Sequence, residues 1–345
     1  MHTFLLNRHY PRMVLFPALL LILAACSASV PTPSQHIPAP SPSPQLTMPS
    51  VPLPINTPVA TTGCHLPSAI APGSSQNVAI PAYSPVSEGS LTRMYRVHIP
   101  IGYDAVRALP LILVFHGYSG TAAQMERATG LSQLADRHQF LVVYGQGLPD
   151  GDGGPPMWAS LGPLDHGLDD LLYVSDVLND VQRTFCVDAH RIYATGFSNG
   201  GGMTVFLACR MAERIADFAP MSANLYAIPG GCHPGRPIPL LYFHGSADPL
   251  LPYQGISPSL NPNWPLPSIQ RWLQEWATRD GCTTGPVIIL RQPTVTGEQW
   301  TNCAGNVTVV HYRLEEAGHS MPTLINGVPA MEVIWRFSRR YPLRS

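Results

Sequence analysis

The chain has 345 residues, a formal net charge of −1 and 12% charged residues, about half the usual share in a globular protein. It has no basic run and no charge excess, which excludes the electrostatic footprint of a nucleic-acid-binding protein. The length suits one large domain or two small ones, and no internal repeat is visible.

Arg8 and Arg12 precede an apolar run, Val14 to Ala25, that ends in Leu23-Ala24-Ala25-Cys26. The run falls short of the ~20 residues that span a bilayer, and it fits the apolar part of an export signal. Leu-Ala-Ala-Cys resembles a bacterial lipobox, so residues 1–26 are expected to be a signal with Cys26 lipidated. The alternative is an ordinary secretory signal with a chance cysteine. Residues 27–62 are rich in Pro, Ser and Thr and show no hydrophobic period. Such a stretch buries too little apolar surface to fold and reads as a disordered, extended linker. A single domain is expected over residues 63–345.

Within that domain Thr92 to Ile99 roughly alternates, as a strand with one solvent face does. Leu109 to Phe115 is continuously apolar, as a strand buried on both faces is. It runs into His116-Gly117-Tyr118-Ser119-Gly120. The periodicity predicts a helix from Ala122 to Arg137, a strand from Phe140 to Tyr144, a Gly/Pro-rich loop from Gln146 to Leu164, and a helix from Leu168 to Phe185. Asp169 and Asp170 read as its polar first turn. A β-prone Arg191-Ile192-Tyr193 leads into Gly196-Phe197-Ser198-Asn199-Gly200, and a helix is expected from Met203 to Arg214. Strands follow at Ile215 to Met221, Pro239 to Phe243 and Val307 to Leu314. Helices are expected at Ile269 to Ala277, with Ile269, Trp272, Leu273 and Trp276 on one side, and at Ala330 to Arg340. Alternating strands and helices predict an α/β fold, with a mostly parallel sheet covered on both faces.

Gly196-x-Ser198-x-Gly200 between a strand and a helix has the form of a nucleophile elbow. The turn strains the serine, and a Cβ at either glycine would clash. A serine hydroxyl needs an imidazole to take its proton and a carboxylate to orient that imidazole. Asp248 and then His319 follow Ser198, each in a loop after a strand, the chain order of an α/β-hydrolase. For Asp248 the alternative is a turn residue in Asp-Pro. For His319 it is a loop histidine bonded to backbone. His116 and His244 are expected to shape their own loops. His311 falls within a strand, His190 just before one, and His166 in a loop. The oxyanion donors expected are the backbone N–H groups of Asn199 and Tyr118, with Gly117 next.

The other six cysteines are Cys64, Cys186, Cys209, Cys232, Cys282 and Cys303. An even number behind an export signal predicts disulfides, but six cysteines allow fifteen pairings. No zinc-type spacing is present, and neither a metal nor a cofactor is expected.

Gly-Phe-Ser-Asn-Gly-Gly-Gly-Met with the later Leu207-Ala208-Cys209, His-Gly-Ser-Ala-Asp-Pro-Leu-Leu-Pro-Tyr at 244–253, and Gly-His-Ser-Met-Pro at 318–322 form a set. The set resembles the secreted feruloyl esterases and polyhydroxybutyrate depolymerase-like esterases, over roughly residues 63–340. That resemblance implies an α/β-hydrolase fold, with Ser198 as nucleophile, Asp248 as acid and His319 as base. It implies the pairs Cys209–Cys232, Cys282–Cys303 and Cys64–Cys186. The family often carries Trp where this chain has Met321. An aromatic acyl pocket is expected from Trp158, Tyr118, Phe197 and Tyr226, with Trp264 as a cap; each also reads as plain packing, Trp264 as a surface Trp packed on proline. The implied function is a monomeric extracellular serine esterase, secreted or lipid-tethered, acting on feruloyl or acetyl esters of plant polysaccharide or on small-molecule esters. The alternatives are a short-chain polyester or hydroxybutyrate hydrolase and, in another class, a non-catalytic lipoprotein that binds a cell-wall ligand.

Overall fold

A computed structural model describes residues 57, 59–82, 91–149, 153–161 and 169–344. The expected signal, Cys26 and most of the expected linker lie outside the described residues, as does His166. Among the described residues, packing against the body is already present at Val59, ahead of residue 63. Gln182 Nε2 donates to Val59 O at 2.9 Å, Thr61 Oγ1 donates to Val187 O at 2.8 Å, and the N–H groups of Thr62 and Gly63 donate to Gln182 O.

The strands and helices run in chain order as β1 (Ser74–Ala82), β2 (Leu91–Ile99), β3 (Leu109–Phe115), α1 (Ala122–Thr129), α2 (Leu131–His138), β4 (Leu141–Gly145), a short hairpin of β5 (Leu148–Pro149) and β6 (Pro156–Met157), and α3 (Asp170–Thr184). Then come β7 (Val187–Phe197), α4 (Asn199–Arg210), β8 (Asp217–Met221), β9 (Leu240–Gly245), α5 (Ile269–Arg279), β10 (Thr284–Gln292), β11 (Val295–Thr301), β12 (Val309–Leu314), a second short hairpin of β13 (Leu324–Ile325) and β14 (Val328–Pro329), and α6 (Ala330–Ser338). The main sheet has ten strands in the order β1-β2-β4-β3-β7-β8-β9-β12-β11-β10. From β4 across to β12 every neighbour is parallel; β1-β2 and β11-β10 close the two edges antiparallel. This is the architecture of an α/β-hydrolase.

The continuous apolar run of β3 is buried along its whole length. Its side chains alternate between two cores. Leu111, Leu113 and Phe115 pack with α3, α4 and α5, whereas Ile112 and Val114 pack with α1, α2 and α6. The single helix expected over 122–137 is two helices. Gly130 at φ 62° ends α1 and returns its N–H to Glu126 O, a glycine stop of the left-handed kind. Helix α4 starts at Asn199, directly after Ser198, rather than at Met203. Strands β1, β10 and β11 stand outside the expected set. Strand β10 is apolar yet lies at the sheet edge, with Val287, Ile288 and Ile289 exposed.

Three disulfides cross-link this body: Cys64–Cys186, Cys209–Cys232 and Cys282–Cys303. The first ties the start of the packed chain to the residue before β7.

Candidate active site

Ser198 sits between β7 and α4 with φ 56° and ψ −117°. A non-glycine residue held there costs on the order of 1–3 kcal/mol, so the surroundings must enforce it. Ser198 N–H donates to Met221 O at 3.0 Å, and Ser198 O accepts from Gly202 N–H at 2.9 Å. The crossing is tight enough to demand both elbow glycines. A Cβ on Gly196 would stand 2.2 Å from Gly200 O, and one on Gly200 would stand 2.3 Å from Phe115 O.

His319 and Asp248 reach Ser198 because β9 and β12 are parallel neighbours and their following loops are joined. Ser246 N–H donates to Leu314 O, Ala247 N–H to Ala317 O, and Glu316 N–H to Ser246 Oγ. His319 Nε2 lies 2.8 Å from Ser198 Oγ, and His319 Nδ1 lies 2.7 Å from Asp248 Oδ2. The partners fix the tautomer: Nδ1–H donates to the carboxylate, and Nε2 accepts from the hydroxyl. The N–H groups of Leu250 and Leu251 each donate to Asp248 Oδ1 at 2.9 Å. The carboxylate is buried with both oxygens engaged, so its orientation is set before any substrate arrives. Phe197 packs on the His319 ring, with centroids 4.9 Å apart.

A second histidine lies behind the carboxylate. His244 is fully buried, with Nε2 3.5 Å from Asp248 Oδ2. Its Nε2–H donates to Leu251 O and its Nδ1 accepts from Tyr242 Oη, both at 2.8 Å. Burial pushes its pKa down, which keeps the ring neutral and leaves Asp248 to His319. Deeper still, His311 donates Nδ1–H to Tyr242 O and accepts from Tyr253 Oη. Burial pushes it down to about 3.

On the other side of Ser198 lies the His116–Tyr118 loop. A Cβ on Gly117 would stand 3.4 Å from the Ser198 Cβ, so the loop backbone passes beside the nucleophile. His116 anchors it: Nδ1–H donates to Gly117 O at 2.8 Å and Nε2 accepts from Gly147 N–H at 2.9 Å. Burial lowers the His116 pKa as well. The Asn199 N–H belongs to the first turn of α4, where backbone N–H groups have no partner within the helix and favour negative charge. Its side chain points elsewhere. Asn199 Oδ1 accepts from Trp158 N–H at 2.7 Å, and Asn199 Nδ2–H donates to Trp158 O at 3.1 Å.

The aromatic residues expected to line one pocket are dispersed. Trp158 is fully buried, stacked on Tyr173 and edge-on to Phe115, and its Nε1–H donates to His116 O at 2.8 Å. It has no surface left for a substrate, so its expected role in an acyl pocket is corrected to that of a brace. Tyr226 and Trp264 meet edge to face, with centroids 5.2 Å apart; Trp264 is 52% exposed. Tyr226 lines a groove of about 350 Å³ between α4 and α5, with Val205, Trp272 and Arg271. Tyr118 turns its side chain to solvent. Asp170, expected as a helix-start residue with a supporting role at most, meets Arg93, which no motif marks, beside this site. The two form a buried ion pair at 2.6 Å, and Asp170 Oδ2 accepts from Ala159 N–H at 2.6 Å.

A strained serine, an imidazole and an oriented carboxylate in this order can run nucleophilic acyl transfer. Esterases are among the known proteins to which the chain is similar. Residues 93–228 match the family described as Esterase PHB depolymerase. The chain is 32% identical over 230 residues to feruloyl esterase B of Piromyces equi, covering 65% of this chain and 42% of that protein. It is 34% identical over 226 residues to the putative esterase NocK of Nocardia uniformis subsp. tsuyamanensis, covering 59% and 65%. The chain thus spans less than two thirds of either relative. In fold it is similar to the acetyl xylan esterase from Aspergillus awamori, with a TM-score of 0.55 at 15% identity over 76% of this chain and 99% of that one. Over residues 93–228 the chain is thus similar to the PHB depolymerase-type esterases, and its fold is that of an α/β-hydrolase.

Proposed function

We propose that the protein is a serine esterase in which Ser198 attacks a carboxylic ester, His319 carries the proton and Asp248 orients and stabilises His319. The carrying observation is the unbroken line from Ser198 Oγ to His319 Nε2 at 2.8 Å and from His319 Nδ1 to Asp248 Oδ2 at 2.7 Å. As Oγ bonds to the carbonyl carbon, its proton passes to Nε2. The carbonyl oxygen becomes an oxyanion between the N–H groups of Asn199 and Tyr118, where Gly117 lets the backbone come close. His319 then protonates the leaving alcohol, and an acyl group remains on Ser198. Water, giving its proton to the same Nε2, attacks the acyl carbon; the bond to Oγ then breaks, Oγ takes the proton back from Nε2, and the acid leaves.

The substrates proposed are feruloyl or acetyl esters attached to plant polysaccharide. The similarity to feruloyl esterase B supports this reading. A second reading, hydrolysis of hydroxybutyrate oligomers, is favoured by the family description matched at residues 93–228. The location proposed is extracellular, with Cys26 as a lipid anchor; the three disulfides support an oxidising compartment. A Ser198→Ala variant should lose hydrolysis of p-nitrophenyl acetate, and full retention would overturn the esterase reading. Methyl ferulate, acetylated xylan and hydroxybutyrate oligomers, compared on the purified protein, separate the two substrate readings: a strong preference for the oligomers removes the first. Labelling with radioactive palmitate tests Cys26.

A further inference from the structure

Both sources of oxyanion N–H in the proposed reaction are held by a segment that belongs to neither. Trp158 is clasped through its own N–H and C=O by the Asn199 side chain, and its indole N–H reaches His116 O. One residue thereby ties the start of α4 to the His116–Tyr118 loop. Trp158 follows the two-residue strand β6, so its own ladder fixes it poorly. What fixes it lies one residue on. Asp170, in the first turn of α3, accepts Ala159 N–H at 2.6 Å. Its other oxygen is 2.6 Å from Arg93 Nη2, with the two side chains 2% and 3% exposed. Arg93 in turn lies 3.7 Å over the Tyr173 ring and donates to Gln146 O at 3.3 Å. Tyr173 Oη closes the frame, donating to Met94 O and accepting from Gln146 N–H.

A buried ion pair is a weak source of net stability, because desolvating two charges offsets their attraction. This one has a place in the fold that gives it another use. We infer that Arg93 and Asp170 are positioning residues for the oxyanion hole, holding Trp158 and through it the spacing between the Asn199 and Tyr118 N–H groups. The inference rests on the esterase reading. Donors placed for the oxyanion act on the transition state rather than on the bound ester. Displacing them therefore lowers kcat and leaves KM nearly alone.

The experiment compares Asp170→Asn, Asn199→Ala, their double variant, and the apolar replacement Arg93→Met with Asp170→Leu, which leaves no charge buried alone. Each is assayed on p-nitrophenyl acetate and titrated with an alkyl boronic acid, whose tetrahedral adduct on Ser198 places an oxyanion in the hole. The expected result is a kcat loss of about 10- to 100-fold with KM within about twofold, smaller than the ~10²–10³ of losing a donor outright. The boronate Ki should rise by the same factor as kcat falls. The Asp170→Asn/Asn199→Ala variant should be no slower than Asn199→Ala alone, because both act through Trp158. Variants that melt earlier but keep wild-type kcat and boronate Ki would overturn the inference, as would losses that multiply in the double variant. If Asp170→Asn does not fold, the apolar pair decides on the same two readouts. A wild-type protein with neither Ser198-dependent hydrolysis nor boronate binding is a different result, and it overturns the esterase reading together with this inference.

Discussion

The two sides of Ser198 are built differently. On the acid–base side, His319 and Asp248 each stand in the loop after their own strand, and the two strands are neighbours. Three hydrogen bonds between those loops bring the side chains together. On the oxyanion side, the groups arranged around the hole come from β2, the 116–118 loop, the 158–160 segment, α3 and α4. The first side is short-range and titratable, and its further histidines are held neutral by burial. The second is assembled from distant segments through amide pairs, a buried ion pair and one buried histidine, His116, that anchors its loop. A proton must move on one side, and nothing must move on the other.

Removing the proton carrier should give the largest effect. His319→Ala takes away the proposed base for Ser198, which is also the proposed acid for the leaving alcohol. We expect kcat on p-nitrophenyl acetate to fall by about 10³–10⁴-fold or more, with the hole and binding supplying what remains. A loss below tenfold would mean that another group serves as base, and the acid–base side as described would be wrong.

On the opposite side Asn199→Asp tests a charge where none belongs. The carboxylate can still accept Trp158 N–H, but it cannot donate to Trp158 O, and it places a negative charge at the residue whose N–H is proposed to meet the oxyanion. The expected loss is about 10²–10³-fold in kcat, deeper than for Asn199→Ala. Equal losses in the two variants would show that the side chain matters only as a clasp.

How far each side is legible in the sequence follows from the same contrast. The elbow, Asp248 and His319 can be read because each is local: a short motif or a single residue just past an apolar run. Most of the sheet is legible for the same reason, since runs such as Leu109–Phe115 are strands buried on both faces. The brace is not. Arg93 reads as an ordinary residue of an alternating strand, and Asp170 as a polar helix start. Only the folded chain buries them against each other. Trp158 shows the same limit: a Trp in a Gly/Pro-rich loop reads equally as a pocket wall or as packing, and its two backbone bonds to Asn199 have no sequence signature. Strand β10 differs from such runs: its apolar Val287-Ile288-Ile289 stretch lies at the sheet edge and stays exposed.

The titratable character of the acid–base side should appear as acid sensitivity of the fold. His311 is held neutral, its pKa pushed down to about 3 by burial, against about 6.5 in an unfolded chain. A depressed histidine contributes stability that is present above pH ~6.5 and lost as pH falls toward ~3. His311→Gln keeps a donor and an acceptor without the titration. Its Tm should change less than that of the wild type between pH 6.5 and 4, a difference of about 2 kcal/mol allowing for relaxation of the site. On the oxyanion side His116 is likewise buried with a lowered pKa, so an acid limb unchanged in His311→Gln would point to that histidine instead. Parallel Tm-against-pH curves for His311→Gln and the wild type would show that His311 does not carry the acid sensitivity of the acid–base side.

The opposite end of the sheet supplies the smallest effect and the control. Asp217 opens β8, fully buried; Ser338 Oγ donates to its Oδ1, while Oδ2 has no partner. Burial pushes its pKa up to about 8, from about 3.9 in an unfolded chain. A raised carboxyl has the opposite sign to His311. Its contribution is complete below pH ~3.9 and is lost as pH rises through ~8, because ionising the buried acid is penalised. Asp217→Asn should therefore be more stable than the wild type at pH 8, by about 1–2 kcal/mol after discounting for relaxation, and no more stable at pH 4. Since β8 carries Asp217 at its start and reaches the elbow only at Met221, kcat should not follow the substitution. Thermal melts at pH 4 and 8, with kcat measured at pH 8, check this. A change in kcat larger than threefold would show that the far end of the sheet is coupled to Ser198 through β8, and the contrast between the two sides of the serine would then have to include the strand beneath them.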